Sequence, residues 1–87
     1  MEARLFALST CPYCRMTKKF LDEHEVVYVL TEVDKLEGTT SDPETPKGAA
    51  VAEVKELSGG TSFPVVVIGE EVVVGFNKTH LVKALGL

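Results

Sequence analysis

Apolar positions along the chain follow two rhythms. Arg4-Leu5-Phe6-Ala7-Leu8 is a short, mostly apolar run of the kind a strand buried on both faces requires. The period then lengthens: Tyr13, Thr17, Phe20, Leu21 and His24 recur at helical spacing, and Arg15, Lys18, Lys19, Asp22 and Glu23 are available for the wet side. Pro12 suits a first helical position, where its missing N–H has no intrahelical partner to lose, and Ser9-Thr10 offers hydroxyls just before Cys11. The pattern predicts an amphipathic helix from near Cys11 to near His24. Val26-Val27-Tyr28-Val29-Leu30 is β-branched and aromatic and reads as a second strand. Strand, helix and strand over this length make a βαβ unit with a right-handed crossover, so the first two strands should be parallel.

From Glu32 to Gly48 the chain is polar, acidic and rich in Gly, Pro, Ser and Thr, the composition of a loop. A helix follows with two plausible starts, Asp42 capping before Pro43 or Thr45 capping before Pro46. From either start Ala50, Val51, Val54 and Leu57 mark one apolar face, and Gly59-Gly60 stops the helix. Val65 to Ile68 and Val72 to Val74 are β-branched runs divided by Gly69-Glu70-Glu71, a hairpin signature. Asn77 then caps a last helix with Leu81, Val82 and Leu85 as its apolar positions and Gly86 as its stop. The expected order is β-α-β-α-β-β-α, an α/β fold in which a four-stranded mixed sheet is flanked by helices.

Length and charge narrow the function. With 87 residues, 45% of them hydrophobic, the chain should form a single domain spanning residues 1–87 with one modest core. A net charge of −4 argues against a general nucleic-acid binder. The longest apolar runs are strand-sized, and Met1-Glu2-Ala3-Arg4-Leu5 does not read as a secretory signal, so the expectation is a cytoplasmic protein without a membrane segment.

Only two cysteines occur, in the sequence Cys11-Pro12-Tyr13-Cys14. A bridge across two residues closes too short a loop to staple a fold, so the pair is expected to serve chemistry. At a helix start, unpaired backbone N–H groups and the helix dipole favour a thiolate, and Arg15, Lys18 and Lys19 add positive charge nearby. Cys11 should therefore be the nucleophile, with Cys14, one turn inward, more buried and less acidic. Cys11 would attack a substrate disulfide and Cys14 would resolve the mixed disulfide. Competing readings are weaker. Half of a zinc site with His24 and His80 lacks a second C-x-x-C or an H-x₃₋₅-H, and an inert core pair ignores Pro12 and the strand-to-helix junction. His24 and His80 are most simply solvent-side helix residues.

Cys11-Pro12-Tyr13-Cys14 after a first strand resembles the active site of the glutaredoxins, within the thioredoxin superfamily, and the similarity covers nearly the whole chain. It implies a thioredoxin-like fold and a thiol-disulfide oxidoreductase that reduces protein or glutathione mixed disulfides, with roles in electron transport and cell redox homeostasis. Thr61-Ser62-Phe63-Pro64 is similar to the family segment ending in a cis-proline, which would let the Phe63 backbone pair with a bound peptide. Gly75-Phe76-Asn77 stands where the family holds the γ-glutamyl end of glutathione. The implied binding residues are Tyr13, Ser62, Phe63, Pro64, Gly75, Phe76 and Asn77. No tightly bound cofactor is expected; glutathione is the implied co-substrate, disulfide-containing proteins are the partners, and the chain should act as a monomer. Three departures bear on the reductant: Leu8 where the family usually has a lysine or arginine, Val74-Gly75 in place of two glycines, and Asn77 in place of an aspartate. Gly75-Phe76 also resembles glutaredoxin-like electron donors reduced by a thioredoxin-reductase-type flavoprotein, the alternative to the preferred glutathione-linked reading. A third rival, a metal or iron-sulfur carrier, is disfavoured by the presence of Cys14.

Overall fold

In the computed structural model, which describes residues 3–87, the chain runs β1 (Ala3–Ala7), α1 (Pro12–Glu23), β2 (Tyr28–Glu32), a 3₁₀ turn (Val33–Lys35), α2 (Pro46–Ser58), β3 (Val65–Ile68), β4 (Glu71–Val74) and α3 (Lys78–Leu85). The sheet order is β2-β1-β3-β4; β2 lies parallel to β1, and the β1–β3 and β3–β4 pairs are antiparallel. This is the expected α/β order and mixed sheet, in a thioredoxin-like arrangement.

Alternation along the strands builds two cores. Ala3, Leu5, Ala7, Val66, Ile68 and Val73 point to the face covered by Cys14, Phe20 and Leu21 of α1 and Leu81 of α3. Phe6 and Val65 point to the opposite face, where Ala50, Val51 and Val54 of α2 and Val33 of the 3₁₀ turn cover them. β1 and β3 are thus buried on both sides, and each fully buried Val, Leu or Phe contributes roughly 1.5–3 kcal/mol.

Several boundaries differ from the sequence reading. β2 begins two residues later than Val26, because α1 ends in a Schellman turn. Glu25 adopts φ 56°, its N–H donates to Asp22 O at 3.1 Å, and the Val26 N–H donates to Leu21 O at 2.9 Å. Val26 and Val27 are spent on leaving the helix, and Val27 is exposed. The polar stretch is not all loop. Glu32 ends β2, Val33 is buried within the 3₁₀ turn, and Pro46 to Gly48 open α2. Of the two possible starts of α2, Thr45 is the cap: its hydroxyl accepts the Gly48 N–H at 3.2 Å and donates to Asp42 O at 2.7 Å. Asp42 instead accepts the Glu44 N–H at 3.0 Å, a local turn. The inner stripe of α1 is Cys14, Thr17, Phe20 and Leu21. Tyr13 and His24 lie outside it, because the helix buries the side of its first turn that carries Cys14. Asn77 and Gly86 bound α3 as the sequence suggests, the Asn77 side chain accepting the His80 N–H at 3.1 Å.

Candidate active site

Sheet topology brings distant segments to one place. Phe6 pairs with Val65, Ala7 with Glu32 and Val65 with Val74. The exits of β1, β2 and β4 and the entry to β3 therefore share one end of the sheet, and the segments carried there are Leu8 to Cys14, Val33-Asp34, Phe63-Pro64 and Gly75 to Asn77.

Cys11 is the N-cap of α1 and half-buried, while Cys14 is 1% exposed; both are free thiols. The loop that presents them is closed by the Cys11 N–H, which donates to Leu8 O at 3.2 Å, and by the Leu8 N–H, which points at Cys14 Sγ at 3.4 Å. Burial works against a thiolate at Cys11. It is outweighed by hydrogen bonds from the Cys14 N–H, the Cys14 thiol and the Tyr13 N–H, so Cys11 lies below the ordinary thiol range. Cys14 is pushed up to about 11. Burial is the main cause, the Leu8 N–H works the other way, and the neighbouring Cys11 sulfur and the Asp34 charge add to the rise. The helical cations invoked from the sequence do not figure in the acidification of Cys11; the local N–H and S–H donors supply it.

Ser9 and Thr10 do not cap α1. Ser9 is instead held by Asp34: its N–H donates to one carboxylate oxygen at 2.9 Å and its hydroxyl to the other. These bonds hold the Asp34 carboxyl below the usual carboxylate range. Asp34 is absent from the residues singled out in the sequence. Its contact spans 25 positions and lies beyond a strand end that the pattern placed two residues early.

Other candidates gather around the same loop. The Phe63–Pro64 bond is cis, and Pro64 O accepts the Gly75 N–H at 2.8 Å, with Gly75 at φ 75°. That bond ties the segment before β3 to the turn after β4. Cys11, Phe63 and Phe76 all pack against the α1–α3 core, and Phe76 meets Phe20 edge-on at 6.4 Å between ring centroids. Tyr13 is 60% exposed beside the cysteines, and Ser62 is exposed. Asn77 is exposed too, with its side-chain oxygen engaged in capping α3. The His24 ring meets Phe20 at a tilt of 54° with centroids 4.4 Å apart, and His80 Nε2 lies 3.2 Å from Glu71.

One feature had no sequence signal. A cavity of about 520 Å³ opens beside Leu8 and Phe63, bounded also by Asp34 and Thr61 and carrying Lys47 and Lys55 from α2. Position 8 has no cation, but helix geometry places two within the same cavity. Among the described residues no helix is long and apolar enough to cross a membrane.

A dithiol of unequal acidity on a thioredoxin-like sheet defines a thiol redox protein. The sequence profile of the glutaredoxin family matches residues 3–73, and the chain belongs to that family. A curated relative, an uncharacterized glutaredoxin-like 8.6 kDa protein in the rubredoxin operon of Clostridium pasteurianum, is 27% identical over 82 residues, covering 94% of this chain and 95% of its own. Among solved structures, the glutaredoxin grx-1 of Archaeoglobus fulgidus is 35% identical with a TM-score of 0.85, over 95% of this chain and 84% of that one. Methanoredoxin of Methanosarcina acetivorans is 32% identical with a TM-score of 0.84, over 99% and 85%.

Proposed function

We propose that the protein is a dithiol oxidoreductase in which Cys11 attacks and Cys14 resolves. The observation that carries this reading is the opposite displacement of the two thiols one helical turn apart, Cys11 lowered at the mouth of the site and Cys14 raised beneath it. The Cys11 thiolate attacks one sulfur of a substrate disulfide. That bond breaks, the departing thiolate takes up a proton, and Cys11 is left in a mixed disulfide. Cys14 loses its proton and attacks Cys11 Sγ, releasing the second substrate thiolate and leaving a Cys11–Cys14 disulfide. The substrate gains two electrons and the protein loses them; an external thiol reductant restores the dithiol. Because the second attack is intramolecular, the resolving thiol acts at high effective concentration. Among the described residues no backbone hydrogen bond outside helices and strands involves Phe63, which leaves its backbone groups for the antiparallel pairing of a bound peptide.

Glutathione is the co-substrate in this reading. The Lys47–Lys55 cavity beside Leu8 offers ammonium groups for a peptide carboxylate, Tyr13 borders the sulfur, and Gly75 presents a turn free of side chain. A second reading, in which a thioredoxin-reductase-type flavoprotein reduces the disulfide, draws on the engaged Asn77 side chain and the apolar position 8. The division of labour is tested by mass spectrometry. Cys14→Ser should trap an adduct on Cys11 and Cys11→Ser should be inert; an active Cys11→Ser protein with its adduct on Cys14 would reverse the roles. Turnover with glutathione and its reductase, compared with turnover driven by a thioredoxin reductase, decides the reductant.

A further inference from the structure

Phe63 sets the direction in which a substrate chain crosses the site. A peptide paired antiparallel with the Phe63 backbone places its next residues toward the C-terminus opposite Ser62 and Thr61. Its residues toward the N-terminus run instead beside Pro64 and Gly75, which are joined by a backbone bond of 2.8 Å. Thr61 and Phe63 line the cavity of about 520 Å³ on the α2 face, whose apolar walls include Leu8, Val33 and Val51. The C-terminal side of the attacked cysteine therefore enters that cavity. A pocket of about 220 Å³ continues it, sharing Thr40, Ser41, Val51 and Lys55. The charged residues lining the two are Lys47, Lys55 and Asp34. Both Asp34 oxygens accept hydrogen bonds from Ser9, whereas Lys47 and Lys55 enter no ion pair among the described residues. Lys47, Val51 and Lys55 follow one another at helical spacing along α2, so two unpaired cations flank an apolar residue.

From this arrangement we infer that Lys47 and Lys55 read acidic residues on the C-terminal side of the cysteine that Cys11 attacks, so that the protein substrate carries a short acidic segment just after that cysteine. The inference rests on the exchange reading above, whichever reductant restores the dithiol, and names the chemistry and chain direction of its protein substrate. Eight helical residues rise about 12 Å, the length of roughly three to four extended residues, so a short segment reaches both lysines. Carboxylates of that segment meet the two ammonium groups, and a side chain between them lies on Val51. A chain of net charge −4 repels acidic peptides in general, which confines the attraction to this side of the site. Complementary charge of this kind raises the encounter rate and selects among partners, and it weakens as salt screens it.

The test is single-turnover reduction by the pre-reduced protein of three peptides with blocked termini, each holding its one cysteine in a disulfide with mercaptoethanol. One peptide has two glutamates on the C-terminal side of the cysteine, one has them on the N-terminal side, and one has glutamines at all these positions. Each rate is divided by the rate of the same peptide with dithiothreitol, so the peptide's own reactivity cancels. At low salt the first peptide should be reduced at least about fivefold faster than either of the others, and the gap should close at about 0.5 M salt. Lys47→Gln/Lys55→Gln should erase the gap and Lys47→Glu/Lys55→Glu should invert it. Equal normalised rates for the three peptides, or a gap that survives in the folded variants, would overturn the assignment to Lys47 and Lys55 while leaving the exchange intact. Failure to reduce any of the peptides or the disulfide of mercaptoethanol itself would overturn the exchange reading and the assignment with it.

Discussion

Hydrogen-bond donors separate the two sulfurs. Cys11 Sγ receives three local donors and Cys14 Sγ receives the Leu8 N–H under heavy burial, so the first sulfur keeps its negative charge and the second keeps its proton. One of the three donors is the Cys14 thiol itself. Cys14→Ala removes it and should move the Cys11 pKa back toward the ordinary thiol range, whereas Cys14→Ser, with a hydroxyl in the same place, should move it less. The pH profile of alkylation by a neutral reagent measures both, and identical profiles would show that the backbone donors suffice. Asp34 acts at this scale too, since its charge raises Cys14 while its oxygens hold Ser9. Asp34→Asn keeps one acceptor for the Ser9 N–H and deletes the charge. It should lower the Cys14 pKa and speed release of a mixed disulfide at neutral pH, read by rapid-quench mass spectrometry; a slowed release would mean that the carboxylate serves the loop rather than the thiol. Nothing at position 34 in the sequence marks this role. Cys11 and Cys14 announce themselves by spacing, while Asp34 acquires its place from the parallel pairing of β2 with β1.

Elements whose ends carry their own chemistry were legible. The β3–β4 hairpin follows from β-branched runs around Gly69, and α2 and α3 follow from Thr45-Pro46 and Asn77 at their starts and Gly59 and Gly86 at their ends. The start of β2 was not, because the left-handed residue that ends α1 is a glutamate, Glu25, where a glycine would have marked the turn. The choice between the two starts of α2 was likewise settled by tertiary contact. Gly48, in the first turn of α2, lies against the loop before it, and a Cβ there would sit 1.7 Å from Asp42 O and 2.8 Å from Thr39 O. Propensity alone says that Gly48→Ala should stabilise a helix interior by about 1 kcal/mol. The contact decides otherwise, since both atoms are backbone and relief requires the loop to leave the Thr45 cap, itself worth about 1 kcal/mol. Gly48→Ala should therefore destabilise by roughly 1–3 kcal/mol, the usual cost of overpacking. Chemical denaturation measures this, and a gain in stability would show that the loop yields freely.

At the scale of the whole molecule, folding and redox state are linked through the same two protons. Reduction of the Cys11–Cys14 disulfide adds two electrons, and the number of protons taken up depends on pH. Below the lowered pKa of Cys11 both sulfurs are protonated; from there up to about 11 only Cys14 is. The midpoint potential should thus fall by about 59 mV per pH unit in the acid range and by about 30 mV per unit above the break. The same protons govern the stability of the reduced fold. Cys11 ionises more readily folded than unfolded, so its contribution is present above the ordinary thiol range and is lost as pH falls through its lowered pKa. Cys14 has the opposite sign: its contribution is present below the ordinary thiol range and is lost as pH rises toward about 11. The stability of the reduced protein relative to the oxidised one should consequently pass through a maximum near the ordinary thiol range, with groups other than the two thiols largely cancelling in the comparison. Equilibrium redox titration across pH locates the break, and paired denaturation of the two forms locates the maximum. If the break falls at the ordinary thiol value and the stability difference only declines with pH, Cys11 carries no special acidity, and the sheet end that gathers Leu8, Cys11, Cys14 and Asp34 is a scaffold for two ordinary thiols.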